Sequence, residues 1–356
     1  MSPSGPQCDG NATVGTGRES SRLARAATAR EEFITIAEYG EFALIAAIGK
    51  ALPANADLIM GIGDDAAVVR APDGRVVATT DMLIEGRHFR REWSAAGDIG
   101  GKAAARNLAD IAAMGARPTA LLVSFAGPGE LEVSWVLELV AGIAQESSAA
   151  GAAVAGGDTS SADVVMLAVT ALGDLEGRQP ITRGGARAGD VVAVTGSLGG
   201  AAAGLALLTA GRTQDDPGLE PLIRAHRRPR PPYAAGRQAA DLGATAMIDI
   251  SDGLIADLGH VSSASGVQIE LRTSAITAEP VAPQRLLARA AAVLDGANPQ
   301  QWVLAGGDDH ALAATFPPDA ALPAGWTIIG QASTGNGILV DGSRWNGAGG
   351  WEHFLA

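Results

Sequence analysis

The chain has 356 residues, of which 47% are apolar, 4% aromatic and 18% charged, and its formal net charge is -13. This length suffices for two domains, each with a core of aliphatic side chains. Because a strongly acidic chain is repelled by phosphate backbones and anionic headgroups, we expect no nucleic-acid partner and no membrane partner.

The N-terminal 32 residues differ in composition from the rest of the chain. They are rich in Ser, Gly, Ala, Thr and Arg, so we predict a disordered extension at residues 1–32 rather than a transit peptide. Cys8 is the single cysteine, so the sequence offers neither an internal disulfide nor a cysteine-based metal site. No apolar run is long enough to span a bilayer and no signal-peptide core is present, which predicts a cytoplasmic protein.

Helix-like and strand-like patterns alternate along the remaining sequence. Predicted helices span 36–52, 97–114, 131–149, 198–210, 233–242, 254–264 and 283–294. Predicted strands span 119–125, 152–155, 164–173, 190–195, 245–250, 267–271, 311–316, 326–331 and 337–340. The Pro-rich, charged segment 213–232 is predicted to cover the surface. This alternation predicts the α/β (α+β) class, with an N-terminal domain at 33–178 and a C-terminal domain at 179–356.

The stretch from Met60 to Phe89 reads MGIGDDAAVVRAPDGRVVATTDMLIEGRHF and combines strand patterns with carboxylates. Two β-like runs, at 66–71 and 75–80, flank a Pro-Asp-Gly turn and predict a hairpin. Its outer ends would bring together the oxygens of Asp64, Asp65, Thr79, Thr80 and Asp81. Such hard ligands suit Mg2+. The alternative is an ordinary polar loop, since Asp and Gly also favour turns.

More carboxylates stand at predicted strand ends and in predicted helices. The recurring set is Asp64, Asp65, Asp81, Asp110, Asp158, Asp249 and Asp252. Taken singly, each is explained as a helix cap or a solvated helix face. Together they favour phosphoryl transfer from ATP, in which metal ions bridge the phosphates. The sequence has no Walker A or protein-kinase motif, but its Gly-rich turns present backbone N–H groups that suit phosphate.

Two basic side chains leave alternatives open. Arg183 stands in an Arg-Gly-Gly segment and is either a phosphate clamp or a surface arginine. His88 follows the predicted hairpin, and a lone histidine is more often structural than catalytic.

Seven blocks together resemble one family. They are GIGDDAAVV, TTDMLIEGRHF, NLADIAAMGARP, AGGDTS, ITRGGARAGD, MIDISDGLIADLGH and AGGDDHAL, in this order. From about Ile36 to its end the chain resembles the thiamine-monophosphate kinase family. It is thereby also similar to the superfamily of aminoimidazole ribonucleotide synthetase, selenide water dikinase and the hydrogenase maturation dehydratase.

The resemblance implies a fold, a reaction and an assembly. The fold is the two-domain aminoimidazole ribonucleotide synthetase-like one, and the N-terminal domains of two chains pair into a β-barrel-like homodimer. The implied reaction is ATP-dependent phosphorylation of thiamine monophosphate to thiamine diphosphate, with direct transfer of the γ-phosphoryl group. Several Mg2+ ions assist, and the active sites lie near the domain interface.

Residue by residue, the resemblance implies the following site. The metal ligands are Asp65, Thr79, Thr80, Asp81, Asp110, Asp158, Asp249 and Asp252. Nucleotide contacts come from Gly157, Asp158, Arg183 and Ser251, and substrate contacts from His88, Asp308 and Trp351. Asp252 and Asp249 are the expected catalytic residues.

One block departs from the family pattern. The family usually has Gly-Gly-Glu-Asp-Tyr-Glu-Leu where this chain has Gly306-Gly307-Asp308-Asp309-His310-Ala311-Leu312. Asp308 is one methylene shorter than the usual Glu, and His310 and Ala311 are also substituted. Because this loop is the implied substrate contact, we expect the departure to concern the substrate rather than ATP.

Two alternative functions are weighed. The first is a sister enzyme of the superfamily, against which stand the position of Cys8 ahead of the folded region and the C-terminal sequence Phe354-Leu355-Ala356, where the hydrogenase maturation protein has a reactive Cys. The second is a nucleotide- and metal-binding regulator without turnover. A phosphorylation assay with an identified product separates the second alternative from a kinase.

Overall fold

A computed structural model describes residues 34–62, 66–345 and 349–350. Asp65 and Trp351, which the sequence predicted as a metal ligand and a substrate contact, lie outside the described residues, as does the predicted extension at 1–32. The described chain contains two large sheets, one of four strands and one of seven, each packed with helices.

The N-terminal unit is built around the four-stranded sheet. Its elements are α1 (Ile36–Tyr39), α2 (Glu41–Ala51), β1 (Leu58–Met60), β2 (Val68–Val69), β3 (Val77–Ile84), α3 (Ala96–Ala113), β4 (Arg117–Gly127), α4 (Val133–Ala150), β5 (Ala153–Ser161) and β6 (Met166–Asp174). The strand order is β3-β6-β4-β5, with only the β4–β5 pair parallel. Buried aliphatic side chains such as Leu108, Leu121, Leu139 and Leu167 form the core between this sheet and its helices.

The C-terminal unit is built around the seven-stranded sheet. Its elements are β7 (Val191–Thr195), α5 (Gly200–Thr209), a 3-10 turn (Pro217–Leu219), α6 (Glu220–Arg227), α7 (Tyr233–Asp241), β8 (Ala246–Ile250), α8 (Leu254–Ser265), β9 (Val267–Leu271), α9 (Thr273–Ile276), α10 (Gln284–Val293), α11 (Pro299–Ala305), β10 (Ala311–Phe316), β11 (Thr327–Thr334), β12 (Gly337–Val340) and β13 (Ser343–Arg344). The strand order is β13-β12-β9-β11-β7-β10-β8. This arrangement places the end of β8 beside the start of β10.

A third apolar cluster joins the two units. Ala112 and Ala113 at the end of α3 pack with Met247, Leu312 and Phe316 of the C-terminal sheet. The predicted α/β (α+β) class is therefore confirmed, while the boundary predicted near residue 178 stays a prediction that falls between β6 and β7. Neither sheet closes into a barrel within the described residues. Their helices include none that is both long and apolar enough to cross a membrane.

The predicted hairpin at 66–80 is wrong. β2 pairs with β1, and β3 pairs along its whole length with β6, from Val77 opposite Gly173 to Ile84 opposite Met166. The turn itself is present, since the Gly74 N–H donates a hydrogen bond to the Ala71 carbonyl. β6 pairs with β3 over eight residues, whereas β2 has only two residues. The β3–β6 ladder is therefore more stable than a β2–β3 hairpin would be.

Two other local predictions need correction. The strand predicted at 152–155 was ended too early, because β5 continues through the Gly-Gly-Asp segment 156–158 to Ser161. The segment 213–232 does more than cover the surface, because Leu219, Leu222 and Ile223 in its helical part are buried in the C-terminal core. The segment is rich in charge and proline, as its composition indicated, but composition does not show that the apolar residues of α6 form a stripe along one face of the helix.

Candidate active site between the two units

An acidic cluster lies where α3 meets β3 and the end of β8. The Thr79 hydroxyl donates a hydrogen bond of 2.8 Å to the carboxyl group of Asp110 on α3. Because alternate residues of a strand share a face, Asp81 points the same way as Thr79. The backbone N–H of Asp81 donates to the Asn107 side-chain oxygen at 2.9 Å, which fixes β3 against α3.

The Asp110 carboxyl group is unusually costly to ionise. Burial, followed by the negative charge of Asp249 on β8 and of Asp81, raises its pKa to about 7, against the opposing hydrogen bond from Thr79. Asp110 and Asp249 belong to different units of the fold. The cluster therefore concentrates negative charge at the junction of the two units.

This donor set fits Mg2+. Among the residues that the structure describes, no three His, Cys, Asp or Glu side chains are arranged to hold a metal ion on their own. Mg2+ rarely needs such a cage, since it is usually held by one or two carboxylates, waters and substrate phosphates. A cation shared with the substrate phosphates would be bound by the oxygens of Thr79, Asp81, Asp110 and Asp249. It would neutralise the negative charge that raises the pKa of Asp110.

Not all predicted ligands meet at this cluster. The side chain of Thr80 points to the opposite face of the sheet, where its hydroxyl donates to the Val169 carbonyl and accepts from Thr170. Asp158 lies on β5 and lines a separate, mainly apolar pocket. In one copy of the chain, the predicted ligands are therefore distributed over several places.

The apolar pocket beside β5 is enclosed by α2, α4 and the sheet. Its walls include Ile45, Ile48, Val140, Gly157 and Asp158. A Cβ atom at residue 157 would overlap the Val123 carbonyl oxygen of β4, so Gly157 also has a packing reason to be glycine. Arg183 is exposed and does not line this pocket, so its predicted nucleotide contact stays a prediction.

A second pocket opens between the two units beside the acidic cluster. It brings together four predicted site residues, His88, Ser251, Asp252 and Asp308. Arg106 of α3 also lines it. The ring nitrogen Nδ1 of His88 accepts a 3.0 Å hydrogen bond from the Ile84 N–H, which orients the ring after β3.

The turn Ser251-Asp252-Gly253 follows β8 and is held by a residue that the sequence analysis missed. One oxygen of Asp257 accepts hydrogen bonds of 3.0, 3.1 and 3.1 Å from the N–H groups of Ser251, Asp252 and Gly253. Burial, followed by Asp249, raises the pKa of Asp257 to about 7. Gly253, not Asp252, is the N-cap of α8, so the alternative of Asp252 as a helix cap loses its support. An Asp in the first turn of the predicted helix was the available signal.

The loop 306–310 docks on this turn through backbone contacts. The N–H of Asp308 donates to the Ser251 carbonyl at 2.8 Å, and the N–H of His310 donates to the Ile250 carbonyl at 2.8 Å. A Cβ atom at Gly307 would come within 2.5 Å of the Ser251 carbonyl, so only glycine fits there. Asp308 has a φ of 67°, a left-handed conformation that is strained for a side chain other than glycine and is typical of functional loops.

The Asp308 carboxylate is paired with two cations of α3. Lys102 Nζ lies 2.9 Å from one oxygen and Arg106 Nη1 lies 3.2 Å from the other. Burial acts to raise the pKa of Asp308, but Lys102, His310 and Arg106 outweigh it and hold that pKa well below its usual range. Lys102 and Arg106 were missed, although Lys102, Arg106 and Asp110 follow one another at intervals of four residues and so mark one helix face.

The substituted residue His310 contacts the acidic cluster rather than the pocket. Its Nδ1 lies 3.0 Å from Asp249, and both side chains are buried. Burial lowers the pKa of His310, but its hydrogen bond to Asp249 and its contact with Asp308, which lies 3.8 Å from Nε2, raise it to about 9. The departure from the family pattern at residue 310 thus bears on the predicted catalytic Asp249, and not only on the substrate as expected.

Family models match both halves of the chain. The model for the AIR synthase related protein, N-terminal domain, matches residues 63–175, and that for the C-terminal domain matches residues 187–295. A thiamine-monophosphate kinase of Mycobacterium tuberculosis is 47% identical over 321 residues, covering 90% of this chain and 93% of the relative.

Solved structures give the same result. The thiamine-monophosphate kinase of Stenotrophomonas maltophilia K279a superposes with a TM-score of 0.75 at 33% identity, covering 86% of this chain and 98% of that one. AaThiL complexed with AMPPCP and TMP superposes with a TM-score of 0.73 at 34% identity, covering 89% and 98%. The chain therefore belongs to the thiamine-monophosphate kinase family of AIR synthase related proteins.

Proposed function

We propose that this protein transfers the γ-phosphoryl group of ATP to thiamine monophosphate and forms thiamine diphosphate. The observation that carries the proposal is the acidic cluster of Thr79, Asp110 and Asp249 beside the pocket between the two units. Arg106 links the two places, since it contacts Asp308 of the pocket at 3.2 Å and Asp81 of the cluster at 3.4 Å. A phosphoryl donor and acceptor need to meet at such a junction.

The relatives supply the identity of the two ligands. AaThiL was solved with AMPPCP, an analogue of ATP, and with TMP. The relative from Mycobacterium tuberculosis is a thiamine-monophosphate kinase. We place the adenine of ATP in the apolar pocket beside Gly157 and Asp158, whose aliphatic walls suit a planar base. We place thiamine monophosphate in the larger pocket, in contact with His88 and Asp308, and with Trp351, outside the described residues, as a further contact. Ser251, the predicted nucleotide contact, lines the same pocket.

Mg2+ is the implied metal. Thr79, Asp81, Asp110 and Asp249 would hold it. Of the other ligands that the family resemblance implies, Asp252 lines the adjoining pocket, Thr80 and Asp158 lie away from this cluster, and Asp65 is outside the described residues. When bound, Mg2+ neutralises the charge that develops on the transferred phosphoryl group. The chain's own part is to orient the two substrates, and Asp257 contributes by fixing the Ser251-Asp252 turn. Asp249 and Asp252 are the residues to which we assign catalysis.

We also propose a cytoplasmic homodimer formed through the four-stranded sheet. Thr80, Thr170 and Leu122 are opposite one another across β3, β6 and β4, so they share the face that turns away from α3. Met82 and Leu122 on that face are 47% and 38% exposed. Light scattering should give twice the chain mass of 35.8 kDa. Met82→Glu should produce monomers. Ile328→Glu, which changes an exposed residue on the other sheet, should not.

The activity is tested with ATP, Mg2+ and thiamine monophosphate, with thiamine diphosphate identified by mass and chromatography. We expect a product that requires all three components and disappears when a chelator removes Mg2+. ATP hydrolysis or ATP binding without thiamine diphosphate would overturn the proposal and favour a regulator. Unphosphorylated thiamine serves as the control acceptor, because a direct kinase for the monophosphate should leave it unchanged.

A further inference from the structure

We infer that Lys102 is a positioning residue that fixes the Asp308 loop across the junction of the two units and thereby sets the affinity for the phosphoryl acceptor. The inference rests on the proposed function. It concerns a residue that lies behind the pocket wall, where its ammonium group contacts Asp308 and the backbone of His226, both of which line the pocket.

The burial of Lys102 is the first observation. Its side chain is only 2% exposed, although lysine is among the residues least often fully buried. Its ammonium group donates to the Asp308 carboxylate at 2.9 Å and to the backbone carbonyl of His226 at 3.1 Å. A buried cation persists only where such partners compensate its desolvation. The three groups come from α3, α6 and the loop before β10, so the ammonium group joins segments that are far apart in sequence.

The geometry of Asp308 is the second observation. Both of its oxygens are used, one by Lys102 and one by Arg106, while its own N–H is bonded to Ser251. Its side chain is one methylene shorter than the Glu usual in the family, which keeps the carboxylate at the wall of the pocket, within reach of α3. Asp308 is thus tied to both units, and Lys102 provides the shorter of its two ion pairs.

Loss of the ammonium group has a defined consequence. Among the described residues, Arg106 would then be the remaining Lys or Arg side chain paired with Asp308, and Arg106 is shared with Asp81 of the acidic cluster. The loop would lose its fixed position on α3, whereas the apolar pocket proposed for adenine contains neither Lys102 nor Asp308. The effect should therefore fall on the acceptor and leave ATP binding unchanged.

The experiment is steady-state kinetics of Lys102→Met, Asp308→Asn and the double variant, with each substrate varied in turn. We expect each single change to raise the KM for thiamine monophosphate by roughly tenfold, which is the effect of losing one charged contact. The KM for ATP should rise by less than about twofold, because no such contact to ATP is lost. The double variant should be no worse than the poorer single one, because both changes remove the same interaction. Additive effects, or an unchanged KM for thiamine monophosphate, would overturn the inference.

A matched control separates positioning from general loosening of the two units. Arg228 also joins them, with Nη2 bonded to Gln145 at 2.9 Å and Glu146 at 3.4 Å, but it does not line the substrate pocket. Arg228→Met should lower the melting temperature and leave both KM values unchanged. A rise in the KM for thiamine monophosphate in this variant as well would assign the effect to loosening and reject the special role of Lys102.

Two further arms keep the result interpretable. If Lys102→Met does not fold, Lys102→Gln retains a donor for the His226 carbonyl and removes only the charge beside Asp308, and the same KM values are measured. The wild-type enzyme is assayed in parallel. A wild-type protein without turnover contradicts the proposed function, whereas active wild type with unchanged variants contradicts only the role of Lys102.

Discussion

The hydroxyl group of Thr79 donates a 2.8 Å hydrogen bond to the carboxyl group of Asp110 and so joins β3 to α3 at the centre of the acidic cluster. This contact is made by a group whose pKa lies near 7 because of its burial and the charges of Asp249 and Asp81. Such a group is held in place for function at some expense of stability.

Asp110→Asn tests this relationship. A carboxyl group with a pKa raised from 3.8 to about 7 favours folding below pH 3.8 and loses that contribution as the pH rises to 7. Removing the charge should therefore increase the free energy of unfolding at pH 8 by about 1–3 kcal/mol without Mg2+. The measurement is urea unfolding, with the exposed Asp163→Asn as the control. A destabilised Asp110→Asn would contradict the assignment.

Asp257 should be required for the shape of the turn at residues 251–253. Asp257→Ala leaves three N–H groups without their acceptor and should lower the free energy of unfolding by about 3 kcal/mol. Asp257→Asn keeps an acceptor oxygen and removes a charge that burial disfavours, so at pH 8 it should leave the free energy of unfolding unchanged or raise it. Urea unfolding of both variants distinguishes them, and equal losses would show that the side-chain oxygen does not hold the turn.

Asp252 should act in catalysis rather than in folding. We expect Asp252→Asn to keep the wild-type melting temperature and to lose roughly two orders of magnitude in kcat, the effect of one strong transition-state contact. Asp319→Asn, in an exposed turn, is the control and should behave as wild type. Near-normal turnover of Asp252→Asn would remove this residue from the mechanism.

His226 predicts a dependence of stability on pH. Burial, followed by the positive charge of Lys102, lowers its pKa from 6.5 to about 3. The unfolded chain therefore takes up a proton at pH values where the folded chain does not, and stability falls as the pH decreases from 6.5 toward 3. Between pH 7 and pH 5 the wild type should lose about 2 kcal/mol more than His226→Gln in urea unfolding. Equal losses would show that His226 protonates in the folded state.

Local patterns were enough for most elements, and long-range pairings were not. Strands such as β9 and β10 were predicted with the observed ends because their apolar runs are short and bounded. The false hairpin arose because the nearest run was taken as the partner of β3, whereas β6 follows about 90 residues later, as the Thr80–Thr170 contact shows.

The same limit applies to the site. The carboxylates of the cluster and the residues of the pocket were found from motifs, because each stands next to a turn with a recognisable pattern. The cations that pair with Asp308 were not found, since Lys102 is 206 residues away from it in sequence and reads locally as a solvated helix residue. Nothing in a local pattern shows that a lysine will be buried in a contact between two units.

One helix supplies groups both to the pocket proposed for the acceptor and to the acidic cluster. Lys102, Arg106 and Asp110 follow one another at intervals of four residues on α3, so they lie along one stripe about 12 Å long. Because a helix has a fixed rise per residue, the number of residues between Lys102 and Asp110 sets the spacing between the acceptor pocket and the acidic cluster. Deleting a single residue between Lys102 and Asp110 would rotate one group against the other by about 100°. The distance between the acceptor pocket and the acidic cluster is therefore set by about two turns of α3. A change in the length of this segment would be far less tolerable than a substitution within it.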